Sequence, residues 1–293
     1  MALSIAAILL TFNEERNLRA ALASVAGWAS EILVVDSLST DRTVDVALSV
    51  AGVRVFQHAF VDYGSQWNWA LENLPIDGRW VLRLDADERV TPEFKAELAG
   101  RLAAGEDVSA YVVDRRLVFM GRWLRWGGYY PNGDIRLWKR GLGRMESRSV
   151  NEHFLTCGPV AHLKSPIDHI DEKDLTHWLD RHNRYSSLEA RELLKGNITG
   201  DVRPSLLGSP AERRMALRRL YYRLPLRPLA YFVYRYVLRL GFLDGTPGLR
   251  YTLLHASFLH WIDLKIAEAR RCGQLPDVIW PPRGTRDPRA EVA

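Results

Sequence analysis

The first third of the chain alternates short apolar runs with helical patterns, and this alternation restricts the fold more than any other feature of the sequence. The apolar run at residues 5–10 is typical of a buried strand, and Leu18, Leu22 and Val25 then recur at helical spacing. Further strand-like runs lie at residues 31–35, 53–57 and 80–84. Strands that alternate with helices favour mostly parallel sheets with helices on both faces. The sequence therefore predicts an α/β fold with a Rossmann-like, mostly parallel sheet.

Polar and acidic residues follow three of these predicted strands. Asn13 and Glu14 come after the first, Asp36 after the second, and Asp85 with Asp87 after the fourth. In open α/β sheets, ligands bind beyond the carboxyl ends of the strands. We therefore expect the three clusters to meet at one edge of the sheet.

Asp85 and Asp87 are candidate ligands for a hard divalent cation. They occupy alternate positions at a strand end, where a turn directs both carboxylates toward one Mg²⁺ or Mn²⁺ ion that also carries diphosphate oxygens. Such an ion offsets the charge that develops on a departing nucleoside diphosphate. The alternative interpretation is a solvated turn.

Asp36 and Glu14 are candidate nucleoside-binding residues. Asp36 can accept a hydrogen bond from a base imino group or a ribose hydroxyl, and Glu14, beside Thr11, can contact the same nucleoside. The alternative is that these segments cap helices, since Asn13 and Ser39 are good N-cap residues. No GxGxxG or Walker sequence follows the first strand, which argues against a dinucleotide or P-loop site.

Four segments match a known family in order and spacing together. They read TFNEERN at residues 11–17, VVDSLSTD at 34–41, GSQWNWAL at 64–71 and LDADE at 84–88. The chain thus resembles the family 2 glycosyltransferases of GT-A fold, in particular the lipopolysaccharide-core glucosyltransferase-like branch. Weaker likeness continues at residues 130–131, 136–137, 150–152, 183–185 and 240–245.

The resemblance implies an inverting glycosyltransferase that moves a sugar from a nucleotide-sugar donor to a hydroxyl of a lipid-linked, lipopolysaccharide or exopolysaccharide glycan. UDP-glucose is the first choice of donor, and Mg²⁺ or Mn²⁺, held by Asp85 and Asp87, is the expected cofactor. The residues expected to bind the nucleotide sugar are Thr11, Asn13, Glu14, Asp36, Gln66, Asn68, Asp85, Ala86 and Arg136.

An inverting transferase needs a group that takes the proton from the acceptor hydroxyl. Glu152 is the first candidate, because it is retained in the segment where the family often has a His-Glu pair, although Asn151 replaces the histidine. Asp134 is the alternative, since it precedes Arg136 in an aromatic, glycine-containing segment suited to a sugar-binding wall. Glu152 has a structural alternative as a surface partner of Arg148.

Two further groups of side chains have a structural interpretation beside a functional one. The first comprises four histidines whose spacing puts no two of them on one face of a helix, so we expect polar packing or exposure rather than a metal site: His153, His162, His169 and His177. The second comprises aromatic residues that stack on an acceptor sugar or simply form core: Trp123, Trp126, Tyr129 and Tyr130.

A basic region follows the predicted catalytic part. Residues 203–239 hold nine arginines and one acid, Glu212, interleaved with Leu, Tyr and Phe at helix-compatible spacing. We expect the arginines to meet anionic phosphates while Phe232, Tyr236 and Leu240 enter the acyl boundary. The alternative is packing on the catalytic part with solvated arginines. The expected domains are a GT-A catalytic domain at 1–195 and a basic, membrane-associating helical extension at 196–293.

Composition bears mainly on location and on rival functions. Two distant cysteines indicate neither a disulfide framework nor a zinc site, and no apolar run reaches the length of a membrane span. We expect a cytoplasmic protein, peripheral on the inner face of the plasma membrane, without a nucleic-acid partner. The rival functions are nucleic-acid binding through the basic region, and an inactive adaptor that only binds a nucleotide sugar.

Overall fold

The computed structural model describes residues 4–146, 154–196, 205, 207, 213, 216, 221–222 and 226–278. Their contacts divide them into two compact units. The sheet unit holds residues 4–125 and 129–173, and the helical unit holds residues 126–128 and 174–278. The sequence places the domain boundary at residue 195, whereas these units divide at residues 173 and 174.

A nine-stranded sheet forms the sheet unit, in the order β3-β2-β1-β4-β8-β6-β11-β5, with β7 beside β6. Six strands run in one direction, namely β1 (Ile5–Thr11), β2 (Glu31–Asp36), β3 (Val53–Gln57), β4 (Trp80–Arg83), β6 (Ala110–Phe119) and β11 (Val160–Ile170). The opposed strands are β5 (Glu88–Arg89), β7 (Arg122–Trp123) and β8 (Gly133–Lys139). β9 (Gly143–Met145) and β10 (Phe154–Thr156) form a separate antiparallel pair. The predicted α/β fold with a mostly parallel sheet is confirmed.

Four helices pack on the sheet: α1 (Leu18–Val25), α2 (Thr43–Leu48), α3 (Tyr63–Asn73) and α4 (Pro92–Ala103). Alternate residues of β1 enter different cores, because successive side chains of a strand point to opposite faces. Leu9 packs with α1 and α4, and Ile8 packs with Trp67 of α3 and with Trp138. Apolar residues are thus buried on both faces of the sheet, and the polar residues of these segments lie at the carboxyl ends of the strands.

The helical unit contains α5 (Leu175–Leu194), α6 (Arg227–Phe232), a π-helical segment (Val233–Leu238), a 3₁₀ turn (Gly241–Asp244) and α7 (Gly245–Cys272). The sequence predicts a helix at residues 175–194, and α5 confirms it. Lys265 of α7 fastens α5, because its ammonium donates to the carbonyl of Asn183 (2.6 Å) and to the hydroxyls of Ser186 and Ser187. Within the described ranges, no helix is both long and apolar enough to cross a bilayer.

Candidate functional site

Asp36 ends β2 and lies beside Thr11, the last residue of β1, because the two strands pair in parallel. Its buried carboxylate accepts four hydrogen bonds: Oδ1 from the hydroxyls of Thr11 (3.0 Å) and Ser39 (2.5 Å), and Oδ2 from the backbone N–H of Ser39 (2.8 Å) and the amide of Gln57 (3.5 Å). A carboxylate has about four lone-pair positions, so these bonds orient Asp36, and a ligand donor would take the place of the long Gln57 contact. Thr11 and Asp36 therefore lie together at the carboxyl edge of the sheet.

Asn13 and Ser39 link the loops that follow β1 and β2. The Ser39 hydroxyl accepts from the Asn13 N–H (2.8 Å), and the Asn13 side-chain oxygen accepts from the Thr40 N–H (2.8 Å). Asn13 has a φ of 55°, a left-handed conformation in which Asn is enriched. The N-cap positions are instead Asn17 for α1 and Arg42 for α2. The helix-cap interpretation of Asn13 and Ser39 is therefore wrong.

Glu14 lies in the loop after β1 and is paired with Lys173. The Lys173 ammonium donates to one carboxylate oxygen (2.5 Å), and the Asn17 amide donates to the other (2.8 Å). Burial raises the pKa of Glu14, and the charge of Asp87 adds to this rise, while Lys173 and Asn17 oppose it. Glu14 is thus electrostatically coupled to the acidic segment after β4. No local pattern in the sequence indicates the pairing of Glu14 with Lys173, because 159 positions separate them.

Gln66 and Asn68 of α3 have their amides bound within the protein. Gln66 donates to the Ser37 hydroxyl and to the His58 carbonyl, each at 3.1 Å. Asn68 accepts from the Met145 N–H (2.9 Å) and donates to the Met145 carbonyl (3.0 Å). Gln66 is therefore next to the residue that follows Asp36, whereas the Asn68 amide fastens α3 to β9.

Asp85, Ala86 and Asp87 follow β4, separated from it only by Leu84. Ala86 is buried in the hydrophobic core, while the side chains of Asp85 and Asp87 remain 31% and 19% exposed. Asp85 accepts hydrogen bonds from the Tyr63 hydroxyl and from Arg136, each at 3.1 Å. Burial would raise the pKa of Asp85, but nearby guanidinium groups, Arg136 foremost, outweigh burial and hold this pKa below its ordinary value. Asp85 is therefore an anion at neutral pH.

Arg136 of β8 organises the turn after β4. Its guanidinium pairs with Asp85 and with the buried Glu88, at 3.1 Å and 2.9 Å. Burial raises the pKa of Glu88, and the charge of Arg136 opposes this rise. Contact of Arg136 with the nucleotide sugar stays a prediction; in the structure its guanidinium lies on the acidic residues that surround the candidate metal position.

His169, near the end of β11, is a site residue that sequence analysis missed. Its Nε2 lies 3.2 Å from Asp87 Oδ2, and the next residue, Ile170, donates its backbone N–H to the Asp87 carbonyl (2.8 Å). Burial would lower the pKa of His169, but the charge of Asp87 outweighs burial and raises it. No helical spacing in the sequence points to His169. It reaches the site through its place in β11, which pairs with β5 directly after Asp87.

Asp87 and His169 fit two ligands of one octahedral cation. Metal–ligand bonds of about 2.1 Å at right angles separate adjacent ligand atoms by about 3 Å, close to the observed 3.2 Å. Across the described ranges, no group of three or more His, Cys, Asp or Glu side chains is arranged to hold a metal ion. A cation at this position would therefore complete its coordination with donor oxygens and water.

The two candidate bases differ in what the structure says of them. Glu152 lies outside the described residues, as do residues 147–153 in general. Asp134, the second residue of β8, forms an ion pair with Arg83 and accepts a hydrogen bond from the Ile135 N–H (2.8 Å). Proton acceptance by Asp134 would therefore require the Arg83 pair to open.

Two arginines of the basic region are bound inside the helical unit. Arg235 donates to the carbonyls of Gly127 (2.8 Å) and Gly128 (2.7 Å), and Arg227 pairs with Asp263. Both guanidinium groups are thus engaged within the protein, and contact of the other arginines of the region with anionic phosphates stays a prediction. The side chains that face outward at residues 226–243 are instead largely apolar: Leu226, Leu229, Val233, Tyr234, Val237, Leu238, Leu240, Phe242 and Leu243.

Comparison with known proteins decides the family. The model of Glycosyl transferase family 2 matches residues 6–170, which is more than half of the chain and contains the whole acidic edge described above. The chain belongs to glycosyl transferase family 2.

Relatives extend the match beyond the sheet. A lipopolysaccharide core biosynthesis glycosyltransferase, LpsC of Rhizobium meliloti (strain 1021), is 27% identical over 88% of this chain and 92% of its own length. An uncharacterized glycosyltransferase of Rickettsia conorii (strain ATCC VR-613 / Malish 7) is 37% identical over 65% of this chain and 71% of its own. Among solved structures, Staphylococcus aureus TarS with UDP-GlcNAc is 15% identical, covers 92% of each chain and has a TM-score of 0.46.

Proposed function

We propose that this family 2 glycosyltransferase moves a sugar, with glucose from UDP-glucose as first choice, onto a hydroxyl of a lipid-linked or lipopolysaccharide-type glycan with inversion. The observation that carries the proposal is the meeting of Asp36, Asp85 and Asp87 at one edge of the sheet, each after a strand of the parallel half. The acceptor class follows from the similarity to LpsC, whose printed name assigns it to lipopolysaccharide core biosynthesis.

The nucleoside end of the donor is assigned to Asp36 and Thr11. Asp36 is fully buried and oriented by Thr11 and Ser39, and a base or ribose donor would replace the long contact (3.5 Å) from the Gln57 amide. Gln66 supports the same wall through Ser37.

The diphosphate end is assigned to a Mg²⁺ or Mn²⁺ ion held by Asp87, with His169 as a second ligand. Asp85 is a candidate for a further ligand, because the hydrogen bond on its Oδ1 comes from the neutral Tyr63 hydroxyl. When bound, the cation neutralises charge on the departing diphosphate. Arg136 and Glu88 keep the turn after β4 in place, and Lys173 adds a positive charge beside Glu14.

Binding of UDP, measured by calorimetry in Mn²⁺, in Mg²⁺ and in EDTA, tests the donor and metal assignments together. We expect EDTA, Asp87→Ala and His169→Gln each to weaken binding at least tenfold, because ligand positions tune metal affinity strongly. Asp180→Ala, on exposed α5 surface, is the matched control and should bind like wild type. A screen of nucleotide sugars for transfer then identifies the sugar. Equal UDP affinity with and without EDTA would refute the metal assignment.

Membrane contact is proposed for the apolar patch, defined by the outward-facing side chains at residues 226–243, together with the arginines that precede it. Leu226, Leu229 and Leu238 are 73%, 57% and 68% exposed, which is unusual for leucines so close in sequence. Apolar insertion combined with nearby basic residues gives reversible attachment without a spanning helix. A peripheral position on the cytoplasmic membrane face would present a lipid-linked acceptor to the enzyme.

A further inference from the structure

Lys173 and Glu14 form a largely buried ion pair beside the proposed donor site. The Lys173 ammonium donates to Glu14 Oε1 at 2.5 Å. The Lys173 side chain is 8% exposed, and that of Glu14 is 19% exposed. Because both charges are largely removed from water, each depends on the other for compensation. Lys173 follows the end of β11 closely, so the pair joins this end of the sheet to the loop after β1.

Asn17 fixes the same carboxylate through its second oxygen. The Asn17 amide donates to Glu14 Oε2 (2.8 Å) and to Asp171 (3.0 Å), and its oxygen accepts from the backbone N–H of Glu172 (2.7 Å). Asn17 is only 2% exposed. The loop after β1 is thus fastened by two side chains, Asn17 and Lys173, to the segment that follows β11.

The loop that carries Glu14 lies between the two ends of the proposed donor site. β1 is between β2 and β4 in the sheet, so the residues after β1 lie between Asp36, which ends β2, and Asp87, in the turn after β4. The charge of Asp87 acts on Glu14, so the two carboxylates are within electrostatic range. In a nucleoside diphosphate the ribose joins the base to the diphosphate. A carboxylate between the nucleoside residue and the metal ligand is therefore placed to meet the ribose hydroxyls.

Glu14 keeps capacity to accept a hydrogen bond from a ligand. A carboxylate has about four lone-pair positions, and among the described residues the side chains that donate to Glu14 are those of Lys173 and Asn17. Burial raises the pKa of Glu14, the charge of Asp87 adds to this rise, and the charge of Lys173 is the strongest influence against it. Loss of Lys173 would therefore favour a protonated or displaced Glu14, which accepts a hydrogen bond poorly.

We propose that Lys173 is a positioning residue of the donor site, an assignment that rests on the proposed function. It holds the Glu14 carboxylate between Asp36 and Asp87, where Glu14 accepts a hydrogen bond from a ribose hydroxyl of the donor. Lys173 acts through Glu14 rather than through the transferred sugar. The pair makes the enzyme selective for ribonucleotides, because a deoxyribonucleotide leaves the carboxylate without its donor.

Calorimetry with UDP, 2′-deoxy-UDP and 3′-deoxy-UDP in Mn²⁺ tests this role. The wild type should bind at least one deoxy ligand about tenfold more weakly than UDP, because a hydrogen bond to a charged group is lost. Lys173→Met should weaken UDP by a similar factor and leave that deoxy ligand within about threefold of its wild-type affinity, so that the selectivity disappears. Lys173→Arg keeps a cation beside Glu14 and should retain most of the selectivity.

A double variant separates action through Glu14 from an independent effect. Glu14→Ala with Lys173→Met should lose no more UDP affinity than Glu14→Ala alone, because residues that act as one unit are not additive. Lys164→Met, at an exposed position of β11, is the matched control and should bind all three ligands like wild type. Thermal unfolding of every variant checks the fold.

Three outcomes would overturn the proposal: wild-type UDP affinity in Lys173→Met, an equal loss of UDP and both deoxy ligands in that variant, or a wild type that binds the three ligands alike. The second of these would assign Lys173 a purely structural role. Each would leave the metal assignment and the assignment of Asp36 intact. Absence of UDP binding by the wild-type protein would instead refute the proposed function itself.

Discussion

Asp36 shows, at the scale of single residues, how the protein prepares a binding group before any ligand arrives. Thr11 and Ser39 hold its carboxylate, and neither carries a charge that would compete with a ligand. Asp85 differs, since Arg136 already compensates its charge. The two aspartates are therefore suited to different tasks, Asp36 to recognition by hydrogen bonds and Asp85 to the electrostatics of the turn.

Replacement of Asp36 by Asn or Ala should weaken UDP and UDP-glucose equally, because the carboxylate recognises the nucleoside that both share. A hydrogen bond to a charged group contributes about 1.5–3 kcal/mol, so we expect a loss of affinity of roughly tenfold to a hundredfold. Calorimetry measures both affinities, and Asp45→Ala on exposed α2 surface is the control. Selective loss of only one of the two ligands would contradict a nucleoside role.

Arg136 shows how one side chain joins elements. It lies on β8, and its two partners belong to the turn after β4 and to β5. Both Arg136 and Glu88 are almost fully buried, so each compensates the other in a region of low dielectric. The turn that presents Asp85 and Asp87 is therefore held by charge as well as by the burial of Ala86.

Substitution of Arg136 by Met should destabilise the sheet unit strongly, because it leaves Glu88 and Asp85 without their buried partner. Removal of one member of a buried pair costs about 3–5 kcal/mol in free energy of unfolding. Arg101→Met removes a more exposed cation that pairs with Glu97 and Glu106, and should cost much less stability because solvent screens exposed pairs. Urea unfolding of both variants makes the comparison, and similar losses would show that burial of Arg136 contributes little.

α7 carries a histidine that should make the helical unit sensitive to acid. His255 lies among the rings of Trp178, Tyr251 and Phe258, and its Nε2 has no hydrogen-bond partner among the described residues. Burial, followed by the charges of His182 and Arg235, lowers the pKa of His255 to about 3. The unfolded chain, with an ordinary pKa near 6.5, binds this proton first.

Between about pH 6.5 and pH 3 the unfolded state therefore holds more protons than the folded state, and stability should fall as the pH falls, by at most about 1.4 kcal/mol per pH unit from this group. His255→Phe should flatten that slope, whereas His260→Phe, exposed on the same helix, should leave it unchanged. Urea unfolding at pH 7.5, 6 and 5 measures the slope. An unchanged slope in His255→Phe would assign the acid sensitivity to other groups.

At the scale of the whole molecule, the question is what holds the enzyme at its acceptor. Arg227 and Arg235 are engaged inside the helical unit, whereas the exposed side chains at residues 226–243 are largely apolar, with Arg239 as an exposed cation among them. The remaining arginines of residues 203–223 lie almost entirely outside the described residues. The apolar side chains at residues 226–243 and the arginines at residues 203–223 can therefore be varied separately to test the proposed membrane contact.

Two variants separate them in vesicle co-sedimentation. Leu229→Asp with Leu238→Asp should reduce binding to neutral and to anionic vesicles, because it removes apolar insertion. Replacement of Arg214, Arg218, Arg219 and Arg223 by Glu should reduce binding to anionic vesicles only, by about 1 kcal/mol per residue. High salt should abolish this difference from wild type. UDP affinity of both variants is the control. If both variants sediment with vesicles like wild type, membrane contact is refuted. A salt-sensitive gel shift of nucleic acid by the wild-type protein would instead favour the rival function, nucleic-acid binding.

The sequence by itself determined the fold class, the strands that end at the candidate site and the acidic residues that follow them. These features depend on local order, because apolar period and strand-end position are properties of neighbouring residues. The segments that carry the family resemblance, at residues 11–17, 34–41, 64–71 and 84–88, are likewise short and local. For the same reason the helix at residues 175–194 was found with its bounds.

Only the tertiary structure decided the partners of those residues. Asp87 meets His169, Glu14 meets Lys173, and Asp85 meets Arg136, pairs separated by long stretches of chain. Sheet order puts β8 beside β4, and β5, which follows the turn after β4, pairs with β11; residue type or spacing does not encode that order. The charge environment of each carboxylate, and with it the division of roles along this edge, therefore follows from packing that no local pattern carries.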